Sequence, residues 1–136
     1  MPDLSLTFTE LPPGLNGRNG LIRLHWKDRQ ALLTRWRILV LEAIGTATGT
    51  CSTPITFAPT HPCTVEVLRV DRRMMDWDNL GASLKPVLDG LVHAGVLSDD
   101  GPAVVTHLTM RQAKPMRGQA SCLYVKLTAL PETPRT

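Results

Sequence analysis

Between Cys63 and Arg72 the chain runs through Val65, Val67, Leu68 and Val70 with almost no turn-forming residue. Such a run is apolar toward both sides, which predicts a strand lying well inside a sheet. The flanking segments supply neighbours for it. Leu4, Leu6 and Phe8 alternate with polar residues, the period of a half-buried strand over about Ser5 to Thr9 that ends at Pro12-Pro13-Gly14. Ala103 to Met110 and Ser121 to Ala129 read as two more strands, and the basic loop Arg111 to Gln119 between them predicts a hairpin-like connection.

Two segments carry helical spacing. From Lys27 to Ile44, residues Leu32, Trp36, Leu39, Val40 and Ala43 recur three and four apart and share one stripe, with Gly45 as the expected stop. The Thr, Gly, Ser and Pro-rich stretch up to about His61 is expected to be a connection with little regular structure, as is Leu15 to Gly20; Leu21 to Trp26 fits extended chain. A second helix is expected over about Asn79 to Ala94, built on Leu84, Val87, Leu88 and Leu91, with Gly95 as the left-handed residue after it. Gly81 and Pro86 predict a kink or a late start. The expected fold is therefore α/β or α+β: one domain over residues 1–130 with a frayed tail at 131–136, a mixed sheet of about four strands, two main helices, and the order β-α-β-α-β-β.

With 43% hydrophobic and 20% charged residues in 136, the chain can bury one core without staples, and its apolar runs are too short to cross a bilayer. No membrane partner is expected. The start, Met1-Pro2-Asp3-Leu4, has no basic segment followed by an apolar one, so the expected location is cytoplasmic. Cys51, Cys63 and Cys122 are odd in number and widely spaced, which fits reduced thiols; Cys51, His61 and Cys63 lack an evident fourth partner for structural zinc.

The net charge of +3 is unevenly distributed. From Asp76 to Asp100 five acids (Asp76, Asp78, Asp89, Asp99, Asp100) face one base (Lys85), giving −4, while the remainder holds fourteen bases and seven acids, giving +7. A basic surface attracts polyanions by releasing their counterions, whereas a carboxylate cluster repels them unless divalent cations intervene. Asp76 and Asp78, two apart, share one side of the backbone if that stretch is extended, and Asp99 or Asp100 in the turn after the second helix offers a third carboxylate. Oxygen donors around an open coordination sphere suit Mg²⁺ and a phosphodiester. Asp78 or Asn79 is equally suited to cap the second helix. Trp77 has two roles open to it, stacking on an opened base or packing into the core near the sheet end. Arg69, Arg72, Arg73, Lys114 and Arg117 are the candidate phosphate contacts.

Arg72-Arg73, Asp76-Trp77-Asp78-Asn79-Leu80, Lys85 to Asp89, His93 to Leu97 and Asp99-Asp100 together resemble the RusA-like Holliday-junction resolvase family, over about Arg69 to Val105. Pro12-Pro13 with Asn16 is weakly similar to that family's N-terminal segment. The resemblance implies a mixed α/β fold, a homodimer, and Mg²⁺-dependent (or Mn²⁺-dependent) nicking of branched DNA in recombination and repair. It also implies three essential aspartates, Asp76, Asp78 and Asp100, with Lys85 in support. One departure is visible. The family's lysine typically follows the second aspartate by four residues, whereas Lys85 follows Asp78 by seven, which on a continuous helix moves it roughly 4.5 Å along the axis and about 300° around it. Two rivals remain: a DNA-structure-binding protein of the same fold with weak or no cleavage, and an interaction domain whose acids only cap a helix.

Overall fold

Alternating polarity at the start of the chain has the consequence expected of it. In the structure, a computed structural model that describes residues 3–14, 25–49 and 55–131, strand β1 (Asp3–Phe8) buries Leu4, Leu6 and Phe8 and exposes Asp3, Ser5 and Thr7. The strand pairs antiparallel with β4 (Cys122–Ala129), β4 pairs antiparallel with β2 (Cys63–Val70), and β2 pairs parallel with β3 (Val105–Ala113). The sheet order is β1-β4-β2-β3, so β2 is interior, as its apolar run predicts, and the sheet is mixed.

The expected hairpin between the last two strands is corrected. β3 and β4 follow each other in sequence, yet β2 lies between them. A helical crossover returns the chain to β2's outer side, where β3 can only lie parallel, and β4 then takes β2's other side. Strands lie about 4.8 Å apart, so the loop over 114–121 has only about 10 Å to cross.

Helix α1 (Trp26–Thr48) buries Trp36, Val40, Ala43 and Ile44 against the sheet, with Leu32 and Leu39 packed at the margin. Trp36 meets Phe8 with ring centroids 5.3 Å apart. Gly45 does not stop this helix, contrary to expectation. Glycine inside a helix costs only about 1 kcal/mol relative to alanine, which the buried Ile44 beside it outweighs. The terminating residue is Gly49, whose φ of 77° and N–H to the Gly45 carbonyl (2.9 Å) make the left-handed cap.

The second helix comes in two pieces, α2 (Trp77–Ser83) and α3 (Lys85–His93), hinged at Leu84. Pro86 causes the break and is accommodated by it: in the first turn of α3 its missing N–H would have had no intrahelical acceptor. Gly95, with φ 82°, ends the helix as expected. Close contact between α3 and α1 depends on Gly90, where a Cβ would lie 2.7 Å from Val40 Cγ2 and 3.1 Å from the Trp36 carbonyl oxygen. Arg37 reaches Asp89 across the same crossing at 3.0 Å, so one acid of the acidic stretch is spent on helix packing. Among the described residues no helix is long and apolar enough to cross a membrane. The expected loop at Leu15 to Gly20, Asn16, most of the extended segment after it, Cys51 and nearly all of the tail fall outside the described residues.

Candidate nucleic-acid interface and acidic site

β2 and β3 are parallel and end opposite each other, Val70 against Ala113. The loops that follow them, 71–76 and 114–121, therefore leave from one rim of the sheet, the carboxyl-end position where open α/β sheets bind ligands. Loop 71–76 is tied down by side chains more than by its own turns. Gln112 Oε1 accepts from the Met75 N–H and Gln112 Nε2 donates to the Met75 carbonyl, both at 2.8 Å. The Asp71 N–H continues the strand pairing onto the Ala113 carbonyl at 3.1 Å. Asp71 also accepts from the Ser121 hydroxyl at 2.7 Å and from Arg69 at 3.1 Å. The Ser121 hydrogen bond is the main reason the Asp71 carboxyl titrates below its ordinary value, with the Arg69 charge reinforcing it against the opposing effect of burial.

Arg69 is thereby removed from the expected phosphate contacts. Only 8% of it is exposed, and its terminal nitrogens go to the Arg73 carbonyl (2.8 Å) and Asp71. It braces the loop instead. The reason is register: Arg69 lies one residue before the strand ends and pairs with Leu123 of β4, so it stands within the sheet rather than beyond it. The other four candidates, Arg72, Arg73, Lys114 and Arg117, are all exposed. Arg72, Lys114 and Arg117 line one shallow concavity with Met116 and Gln119. Part of its lining is a turn in which the Gln119 N–H donates to the Met116 carbonyl (2.9 Å) and Gly118 takes φ 82°.

Asp76 and Asp78 open α2 at this rim. Asp76 is the N-cap residue, extended at φ −62° and ψ 149°, and makes no side-chain capping bond. Asp78 lies in the first turn, where its Oδ1 accepts from the adjacent Asn79 N–H at 3.0 Å. The expectation that one extended stretch holds both acids is corrected, because the helix begins two residues before Asn79. Neither Asp78 nor Asn79 is the cap. An acid in the first turn nevertheless suits the positive end of the helix. Trp77 is 58% exposed, so core packing is ruled out for it.

Lys85 and Asp100 come together, with Nζ 3.7 Å from Oδ2. The hinge at Leu84 breaks the helix on which the sevenfold spacing from Asp78 was counted, and the chain after α3 turns back to bring Asp100 to the start of that helix. Of the two adjoining acids, Asp100 meets Lys85, while Asp99 accepts from the Gly101 N–H at 3.3 Å. Among the described residues no three His, Cys, Asp or Glu side chains are gathered closely enough to hold a metal ion. By kind the donors fit Mg²⁺, being carboxylate oxygens, exposed at Asp76 and Asp78 and free of capping duty. The cysteine side offers less: His61 stacks on Phe57 at 5.5 Å, and burial pushes the Cys63 thiol up to about 11, so it stays protonated.

Sequence reasoning missed Gln112, Asp71 and Ser121, since a single glutamine or serine at a strand end carries no pattern. It also missed the exposure of Met74 (53%) and Met116 (79%). No protein-family model matches the chain, and a search of curated proteins returns no match.

Proposed function

We propose that this protein is a Mg²⁺-dependent endodeoxyribonuclease that nicks Holliday junctions or related branched DNA in recombination and repair, acting in the cytoplasm as a homodimer. One observation carries most of the weight: Arg72, Arg73, Lys114 and Arg117 are exposed on the two loops leaving the common rim of β2 and β3, the rim at which Asp76 and Asp78 open α2. Basic side chains there pair with phosphates and set the register of a strand without reading its sequence. The carboxylates beside them would repel the same backbone unless a cation stood between.

On this reading Asp76, Asp78 and Asp100, which are not gathered into one group in the structure, would be drawn together by Mg²⁺ or Mn²⁺, and the bound ion would supply an acidified water and neutralise charge on the phosphate. The protein's own share is positional and electrostatic. The Gln112 bonds fix the main chain one residue before Asp76, the bases draw the phosphates in, and the Lys85 ammonium adds positive charge next to Asp100. Two identical sites related by a two-fold axis would give paired nicks by symmetry.

The test is nicking of a labelled four-way junction, with duplex and single strands as controls, across a Mg²⁺ and Mn²⁺ titration. Paired, metal-dependent nicks are expected, falling by about 100-fold or more in Asp78→Asn while binding persists. Undiminished nicking by Asp78→Asn overturns the assignment. The Lys85–Asp100 contact favours a second reading, because a lysine already neutralises one of the three carboxylates. On that reading the protein binds branched DNA and cleaves it weakly or not at all, and binding without nicking at every metal concentration selects it.

A further inference from the structure

We propose that Trp77, on the rim that also exposes Met74 and Met116, is a stacking platform for an unpaired base, so that the preferred DNA carries single-stranded or unstacked nucleotides at its branch. This rests on the reading of the rim as a DNA-binding surface and adds to it what the DNA must present.

Three large apolar side chains stand in solvent on the two rim loops and the helix start that follows, at 53% exposure for Met74, 58% for Trp77 and 79% for Met116. Single exposed apolar residues are ordinary on a surface. Here they share that rim with four exposed cations; the two loops are joined by the Asp71–Ser121 bond, and the first is clamped to β3 by Gln112. Met116 and Arg72 border the same concavity although 44 positions separate them in sequence. Met75, two residues from Trp77, is bolted to β3, so the indole is carried on a fixed support. A positively charged track beside an aromatic face is the combination that binds single-stranded nucleic acid with little sequence preference.

The charge layout favours a nucleobase over other partners. Asp76 and Asp78 flank Trp77 directly, while Arg72 and Arg73 precede them on the same loop and Lys114 and Arg117 stand on the neighbouring one. Phosphates would follow the bases and avoid the carboxylates, which leaves the uncharged end of the nucleotide to reach the indole. Carboxylates there can accept from the exocyclic amino groups of bases. An anionic membrane would meet two negative charges at the very residue that should insert.

Fluorescence anisotropy with a labelled oligothymidylate and a labelled linear duplex of equal length, with Ca²⁺ in place of Mg²⁺ so that the carboxylates are neutralised while cleavage stays silent, tests the platform. Trp77→Ala is expected to weaken oligothymidylate binding about 5- to 30-fold and to leave duplex affinity within about twofold, while Trp77→Phe, which keeps an aromatic face, should restore most of the lost affinity. Equal losses on both probes, or no loss on oligothymidylate, overturn the platform and leave the nuclease reading standing. Failure of the wild type to bind any DNA overturns both. Vesicles of phosphatidylserine serve as the third arm: vesicle binding that depends on Trp77 while oligothymidylate binding does not would also overturn it. Since Trp77 is exposed, an unchanged unfolding midpoint confirms that each variant is folded.

Discussion

Two helical glycines of opposite character give a sharp test of the packing. At Gly90 a methyl group would stand 2.7 Å from Val40 Cγ2 and 3.1 Å from the Trp36 carbonyl oxygen. Val40 and Trp36 are fully buried, so neither can swing aside. Overpacking a core of this kind costs about 1–3 kcal/mol, and contact with main chain argues for the upper half of that range. Alanine's better helix propensity returns about 1 kcal/mol, so Gly90→Ala should be destabilised by about 1–2 kcal/mol. Gly45 is the control, because it too is inside a helix but has nothing within 4 Å of the same position. Gly45→Ala should be stabilised by about 0.5–1 kcal/mol. Urea unfolding of the three proteins, with unchanged m-values, measures both differences. If Gly90→Ala is as stable as wild type, or if the two substitutions shift the midpoint in the same direction, the close crossing of α1 and α3 is wrong.

Other expectations follow from the rim and the core. Gln112→Ala should cost about 1–3 kcal/mol by leaving a part-buried N–H and carbonyl of Met75 without partners, and amide exchange at Met75 should accelerate; unchanged exchange would dismiss the clamp. Ser121→Ala removes the principal cause of the lowered Asp71 pKa. That contribution is present above the ordinary carboxyl value of 3.8 and lost as pH falls through the folded value, so wild type and variant should differ at neutral pH and converge in acid. Cys63, pushed up to about 11 from 9.0, should react with iodoacetamide at pH 8 about 100-fold more slowly in the native protein than in the unfolded chain, by mass-mapped alkylation. Its protonated form supports the fold below pH 9, a contribution that disappears as pH climbs toward 11.

Local signals in the sequence carry through where a short-range pattern decides the outcome. Leu4, Leu6 and Phe8 point to one face because the strand period is two, and Pro86 breaks a helix because its ring and missing N–H act within a single turn. Where a long-range partner decides, the sequence is silent. Arg111 to Gln119 reads as a hairpin loop until β2 is seen between β3 and β4, and no residue in the loop records that intrusion. Gly45 reads as a stop because the burial of Ile44 beside it cannot be seen in the sequence, whereas Gly49 four residues on is the one that adopts the left-handed turn. Among the charges, Arg69 looks the same as Arg72 and Arg73 in sequence; one residue of strand register separates a buried brace from exposed cations. Asp99 and Asp100 likewise differ only in which neighbour each meets, Gly101 or Lys85.

The amide of Gln112 behaves toward Met75 as one more peptide unit would, offering an acceptor and a donor in the spacing of a ladder rung. Because it grips main chain, the side chains at 72–75 are free to be exchanged for others without letting go of the support, while at 112 itself few residues could substitute. Recognition chemistry on the rim can therefore drift between descendants of this fold while its scaffold stays rigid.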